Sequence, residues 1–176
     1  MGTHRISRRT YLKLSGLALS SATLGGCLYG FSAGSGITSE ISTIAIMPID
    51  NQSDRFDVAD EVYAAILSEL PGRLGLRVAS EEVADAVLSG VLMSYNLQAP
   101  NYRSTAGGGA QVLQRSVQLR FQVMIVDARQ NLILWDDLGL TAQGTFAEVG
   151  GSEEDGRAEA IELLLQQIVD GAQSRW

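Results

Sequence analysis

Apolar and polar positions alternate most cleanly over Val112–Asp127. Val117, Leu119, Phe121, Val123 and Ile125 take one phase, and Ser116, Gln118, Arg120 and Gln122 the other. A period of two sends these sets to opposite sides of a sheet, one buried and one wet or partner-paired. Met124 and Val126 break the pattern, so that end is expected to be covered on both sides. Ile41–Ile49 is apolar on both phases, as a central strand is, and Pro48 should end its pairing. Ala86–Ala99 reads as a long strand with Val87, Val91, Met93, Tyr95 and Leu97 on one phase and Leu88 and Leu92 on the other, stopped by Pro100. Leu132–Gln143 reads as an antiparallel partner of Val112–Asp127 across a turn at Ala128–Asn131, with Ile133 and Trp135 sharing a face.

Two stretches carry helical spacing instead. Over Val58–Leu70, Ala59, Val62, Tyr63, Ile66, Leu67 and Leu70 form one stripe, and Asp57, Asp60, Glu61 and Ser68 lie opposite. Pro71-Gly72 is expected to stop this helix. Near the C-terminus Ser152 is placed to cap a helix whose first turn holds Glu153, Glu154 and Asp155, where negative charge meets the helix dipole. Ile161, Leu164, Leu165, Ile168 and Ala172 are its stripe. Leu76–Val78 is a short extended piece, Ser80–Val83 a helical turn, and Asn101–Gly109 and Gly144–Gly151 are loops. The economical arrangement is α+β: a two-layer sandwich with two helices on one face of a four-stranded, mostly antiparallel (mixed) sheet.

The first residues belong to none of these elements. Arg5, Arg8, Arg9 and Lys13 precede a short, mildly apolar run, Leu14–Leu24. That run is far shorter than the roughly 20 residues a membrane-spanning helix needs, so it reads as an export signal. It ends in Leu24-Gly25-Gly26-Cys27, a lipobox: an apolar residue, two small residues that thread a peptidase, and a thiol to acylate. Ser7-Arg8-Arg9-Thr10-Tyr11-Leu12-Lys13 resembles the twin-arginine export motif, the general secretory route being the alternative. Residues 1–26 are therefore expected to be a signal peptide, 27–40 a lipidated glycine- and serine-rich tether, and 41–176 a single domain. Two or three acyl chains on Cys27 would anchor it durably, where one alone binds marginally.

Composition removes most chemistry. The sequence holds 13 Lys+Arg against 20 Asp+Glu; four of the basic residues precede Cys27, which takes the net charge from −7 to −11 for the rest. Lys13 and His4 are the sole lysine and histidine, and Cys27 the sole cysteine. Serine–histidine and cysteine–histidine catalysis, histidine or cysteine metal sites and lysine chemistry are thus excluded after Cys27. The acidic balance argues against nucleic acid. Asp50, Asp54 and Asp57 lack the spacing of a calcium loop and read as a turn followed by a helix cap. Gly107-Gly108-Gly109 lacks the Gly-Lys-Ser/Thr of a phosphate loop. Asp136 and Asp137, adjacent on a strand, face opposite ways and cannot flank one substrate. No enzyme, metal or cofactor is expected beyond the covalent lipid. Candidate contacts are Tyr102 and Arg103 in the hairpin loop, with Arg115 and Arg120 on its arm.

Several segments, in order, resemble the LPS-assembly lipoprotein family, LptE. They are Cys27-Leu28-Tyr29-Gly30-Phe31, then Ile41–Pro48 followed by Asp50-Asn51, then Ala84–Gly90 leading into Ser94-Tyr95, and finally Leu134–Asp137 before an acidic-start helix. The resemblance runs from Cys27 to Trp176. It implies a non-enzymatic protein on the periplasmic side of the outer membrane that plugs and helps fold the LptD β-barrel and assists lipopolysaccharide delivery. In this family basic residues contact the lipopolysaccharide, and Leu28 in place of aspartate suits outer-membrane sorting. The other reading is a generic envelope assembly lipoprotein, pilotin-like, serving a different membrane complex.

Overall fold

The structure, a computed structural model, describes residues 41–104 and 110–174, with side chains for 41–98 and 114–174. The chain divides into units Met1–Gly34 and Ser35–Trp176, and the described residues all belong to the second. In chain order they form β1 (Thr43–Ile46), β2 (Asp50–Asn51), α1 (Phe56–Leu74), β3 (Arg77–Val78), β4 (Ala86–Ser104), β5 (Ala110–Asp127), β6 (Leu132–Ala147) and α2 (Glu153–Ser174).

The fold is α+β with two helices and a mixed sheet, but the sheet has six strands, not four. Its order is β3-β1-β4-β5-β6, with β2 pairing β4 beyond the end of β1. The three short strands run parallel to their partners; β4–β5 and β5–β6 are antiparallel. The extra strands are Asp50–Asn51, expected as loop, and Arg77–Val78. Two residues are too few to show a period, and it is the neighbouring long strand that makes them strands.

Alternation on β5 decides which face is covered. Val117, Leu119, Phe121, Val123 and Ile125 are at most 2 % exposed and lie under the helices. Val58, Val62, Ile66 and Leu70 of α1 and Ala160, Leu164, Leu165 and Ile168 of α2 complete the core. Leu67, expected in the stripe, lies at its margin and is exposed. On β4 the covered set is Ala86, Leu88 and Leu92, so Val87, Val91 and Met93 face the other way. An irregularity between Leu92 and Ser94 shifts the phase by one residue and brings Tyr95 back to the core. A second, between Ile125 and Val126, separates Trp135 from Ile133: the indole is buried and Ile133 is 59 % exposed.

β1 ends at Ile46, before Pro48, but Pro71 and Pro100 do not end the elements they were expected to end. α1 continues through Pro71 to Leu74 and stops at Gly75, whose φ of 73° is the left-handed conformation glycine adopts without strain. A proline so near a helix end forfeits one hydrogen bond, and the buried ring of Pro71 contributes packing there. β4 passes Pro100 at a break in register between Gln98 and Asn101, where no ladder hydrogen bond is needed. β6 likewise runs beyond Gln143 to Ala147 because β5 offers partners down to Gln114. At the start of α2, Ser152 Oγ accepts from Asp155 N (3.1 Å) and Asp155 Oδ2 from Ser152 N (2.9 Å), a reciprocal cap. The cap of α1 is Arg55, whose side chain makes no capping bond to the helix backbone. The preceding loop is held instead by Asn51, whose Oδ1 accepts from Ser53 N (2.8 Å) and whose Nδ2 donates to Arg55 O (3.1 Å).

Asp85 ties the point where the chain enters the domain. Its Oδ2 accepts from the backbone and hydroxyl of both Ser42 and Thr43, at 2.8–3.0 Å. These donors, the Ser42 amide first and the Thr43 hydroxyl next, hold its carboxyl well below the usual range.

α2 lies on β6 through paired glycines. A Cβ on Gly144 would stand 1.9 Å from the Gly156 carbonyl oxygen and 2.7 Å from Ala160 N. Backbone cannot yield there as a flexible side chain can. Gly144→Ala is therefore expected to destabilise the domain by about 2–3 kcal/mol or more in urea titration. Gly139→Ala on the same strand has open space within 4 Å and should stay within about 1 kcal/mol of the parent protein.

Candidate functional site

With helices on one face, β4, β5 and β6 present the other. Among the described residues no element packs on it. Its upper part, toward the β4–β5 turn, is uncharged and polar. Asn96, Gln118 and Gln143 stand opposite one another across three strands, and Gln98 Nε2 donates to Gln118 Oε1 (3.2 Å). In the next row Arg120 lies between Ser94 and Thr141, exposed, with no hydrogen bond or ion pair to any described residue. Below this the surface turns apolar around a depression of about 170 Å³ lined by Ser89, Gly90, Val91, Gln122, Val123, Met124 and Leu138. Phe121 explains Gly90: a Cβ there would meet its ring at 2.4 Å.

The expected contact residues do not gather on this face. Arg120 is on it. Arg115, one phase off, projects on the helix side and is paired with Glu148. Tyr102 and Arg103 fall in β4, opposite Val112 and Gln111, and not in a loop; their side chains lie outside the described residues. Arg8, Arg9, Leu24, Gly25, Gly26 and Cys27 lie outside the described residues altogether. Ser116, expected on the wet face, is wholly buried, and its hydroxyl has no partner among the described residues. Asp136 and Asp137 pair with Met124 and Val123, neighbours of opposite phase, so they point apart.

A charged cluster that the sequence did not reveal ties both helix starts to β4. Arg55 Nη1 donates to Glu153 Oε1 (3.0 Å) and its Nη2 to Asp57 Oδ2 (2.9 Å). Its guanidinium sits 4.9 Å from the centre of the Tyr95 ring. Tyr95 Oη donates to Glu153 Oε1 (2.6 Å), and Arg157 Nε to Glu61 Oε2 (2.5 Å). These partners stand up to 98 residues apart in sequence, which is why no local pattern marks them. The one hint was Tyr95 itself, a phenol in an apolar phase whose polar tip needs a partner. The cluster holds no nucleophile–base pair. Among the described residues no group of three His, Cys, Asp or Glu is placed to bind a metal, and no helix is long and apolar enough to cross a membrane.

The model of the family described as LptE, lipopolysaccharide-assembly, matches residues 41–171. The chain belongs to this family. A comparison with curated proteins finds no match. Among solved structures this LptE chain is similar to lipoprotein GNA1162 of Neisseria meningitidis: 14 % identity, 73 % of this chain and 99 % of that one, TM-score 0.46. It is also similar to the hypothetical protein CT253 of Chlamydia trachomatis: 11 % identity, 76 % and 99 %, TM-score 0.48. A third is the PelC dodecamer of Paraburkholderia phytofirmans: 18 % identity, 75 % and 88 %, TM-score 0.42. At such scores these likenesses carry no argument about this LptE domain. Within it, the cluster acts as a clasp between the two helix starts and β4, and the helix-free face is uncovered among the described residues.

The clasp titrates from both sides. Glu153 is held below its ordinary value, 4.5, by the Tyr95 hydrogen bond first and Arg55 next. Tyr95 is pushed up to about 12 by burial first and by Glu153 second. A lowered carboxylate adds stability that is lost as pH falls below that ordinary value; a raised phenol adds stability that is lost as pH climbs from 10 toward about 12. Tyr95→Phe is expected to cost about 1.5–3 kcal/mol at pH 7, a hydrogen bond to a charged group being lost. In urea titrations across pH the deficit should shrink in acid, and the alkaline loss attributable to Tyr95 should disappear.

Proposed function

We propose that this chain is an outer-membrane lipoprotein, anchored through acylated Cys27, that docks into an LptD-type β-barrel and assists lipopolysaccharide delivery through it. The observation that carries the reading is the LptE family match over residues 41–171. On this reading Arg8 and Arg9 direct twin-arginine export and Leu24, Gly25 and Gly26 present Cys27 for lipidation. The domain then works by docking, without catalysis or a cofactor. Charge favours the helix-free face as the docking surface. The helix layer exposes Asp57, Asp60, Glu69, Glu154, Glu159 and Glu162, a field that repels an anionic glycolipid. Among the described residues, the helix-free face carries Arg120 as its one unpaired cation, set among amides and suited to carbonyl or phosphate oxygens.

A tagged chain purified from detergent extracts is expected to bring down a large β-barrel. Arg120→Glu with Gln118→Glu should reduce barrel recovery by at least about tenfold, or about 1.4 kcal/mol. Recovery of a secretin, or of soluble periplasmic proteins alone, would overturn the assignment. Separately, radiolabelled palmitate should enter the parent protein in cells and not the Cys27→Ser variant, which should leave the membrane fraction.

A further inference from the structure

The register places one end of the domain in a single row. Val78 of β3 is level with Ile44 of β1, Ala86 of β4, Asp127 of β5 and Leu132 of β6. Four steps between strands make this row about 19 Å across. Its two margins are apolar and exposed: Val78 (54 %) on one side, Leu132 (57 %) and Ile133 (59 %) on the other. Val83, 72 % exposed, stands in the Ser80–Ala84 turn that leads into β4 at the same row. These residues come from separate segments, and none is needed by the core.

The chain also enters the domain here. Ser42 and Thr43 are fastened to Asp85 beside the row, so whatever precedes Ile41 joins the domain at this end. At full stretch residues 27–40 span at most about 50 Å, less than the roughly 60 Å that β4 covers from Ala86 to Ser104. An anchor at Cys27 would therefore hold this row within about 50 Å of the lipid surface and could not seat the domain upright on its hairpin end.

We propose that Val78, Val83, Leu132 and Ile133 form a rim that rests on a net-neutral bilayer surface beside the anchor. The charges around it decide the lipid class: Arg77 and Arg129 are offset by Glu81, Glu82 and Asp85, so an anionic surface gains nothing. The contact is small and would be weak in a free domain. The anchor makes it intramolecular, and effective concentration supplies the rest. The rim rests on the anchoring of Cys27 assigned under the proposed function, and it is tested without relying on cellular lipidation.

Because Cys27 is the sole cysteine, the chain from residue 27 onward can be coupled there to a maleimide lipid in phosphatidylcholine nanodiscs doped with a gadolinium-chelate lipid. Methyl NMR then reports which side chains approach the surface. Val78, Val83, Leu132 and Ile133 should lose signal several-fold more than Leu97 on the hairpin and Val149 before α2. Val83→Asp with Ile133→Asp should abolish the losses at Val78 and Leu132 while leaving the thermal melt unchanged, since both positions are exposed. Equal losses at both ends, the largest loss at Leu97, or concentration-dependent shifts of the rim in lipid-free solution, which mark self-association, would each overturn the proposal. So would a stronger effect with anionic lipid. Failure of palmitate labelling in cells would remove the anchor assignment and leave this physical result standing.

Discussion

Everything in this domain depends on one covered strand face. The odd-numbered side chains of β5 from Val117 to Ile125 are in the core, and each is worth about 1.5–3 kcal/mol once removed from water. A central strand flanked by two long antiparallel neighbours cannot bury that row alone. α1 and α2 must lie across it, and they can do so on one side only. The second face is then left without a layer as a consequence of the first. Close approach makes the arrangement specific: where α2 crosses β6, backbone meets backbone at Gly144 and Gly156, and no side chain can intervene.

That covered row was the most legible part of the sequence, because period-two alternation has one meaning over ten residues. The helical stripes were readable for the same reason, as was the Ser152 cap with its acidic first turn. What escaped reading was whatever depended on pairing rather than on pattern. β2 and β3 are strands because β4 and β1 supply ladders beside them. The irregularities at Leu92, Phe121 and Ile125 each shift the phase by one residue, and a shift decides whether Tyr95 or Ile133 is inside or out. Pro71 and Pro100 looked like stops, yet each sits where the missing N–H costs little.

The candidate site divides along the same line. Arg120 could be placed on the open face from alternation alone. The pairing of Arg115 with Glu148 could not, since their meeting depends on how far β6 follows β5. The Arg55–Tyr95–Glu153–Arg157 clasp was hidden most fully. It joins the loop before α1, the middle of β4 and the first turn of α2, three places with unremarkable local sequence. Its position suggests why it is ionic: helix starts attract negative charge, so Glu153 and Asp57 are favourable there on their own. The arginines convert two separate helix starts into one joint at the root of the projecting β4–β5 hairpin.

The domain has two unlike ends. At one, Asp85 fastens the entering chain, and the Asp127 carboxylate receives the amides of Arg129 and Gln130 at the β5–β6 turn (2.8 and 3.0 Å). Each bond there closes a polar group that would otherwise need water. At the other end β4 and β5 extend past the helix layer, so that Leu97, which faces the core side, is 43 % exposed. A load applied through residues 27–40 falls on the fastened end and not on the hairpin. On the proposed reading, the hairpin and the open face are then free for docking, while the row at the chain's entry stays with the anchor. A protein proposed to be held at a membrane while it docks a second component requires this separation. On that proposal strand length supplies it, since residues 27–40 at full stretch fall short of the distance from Ala86 to Ser104.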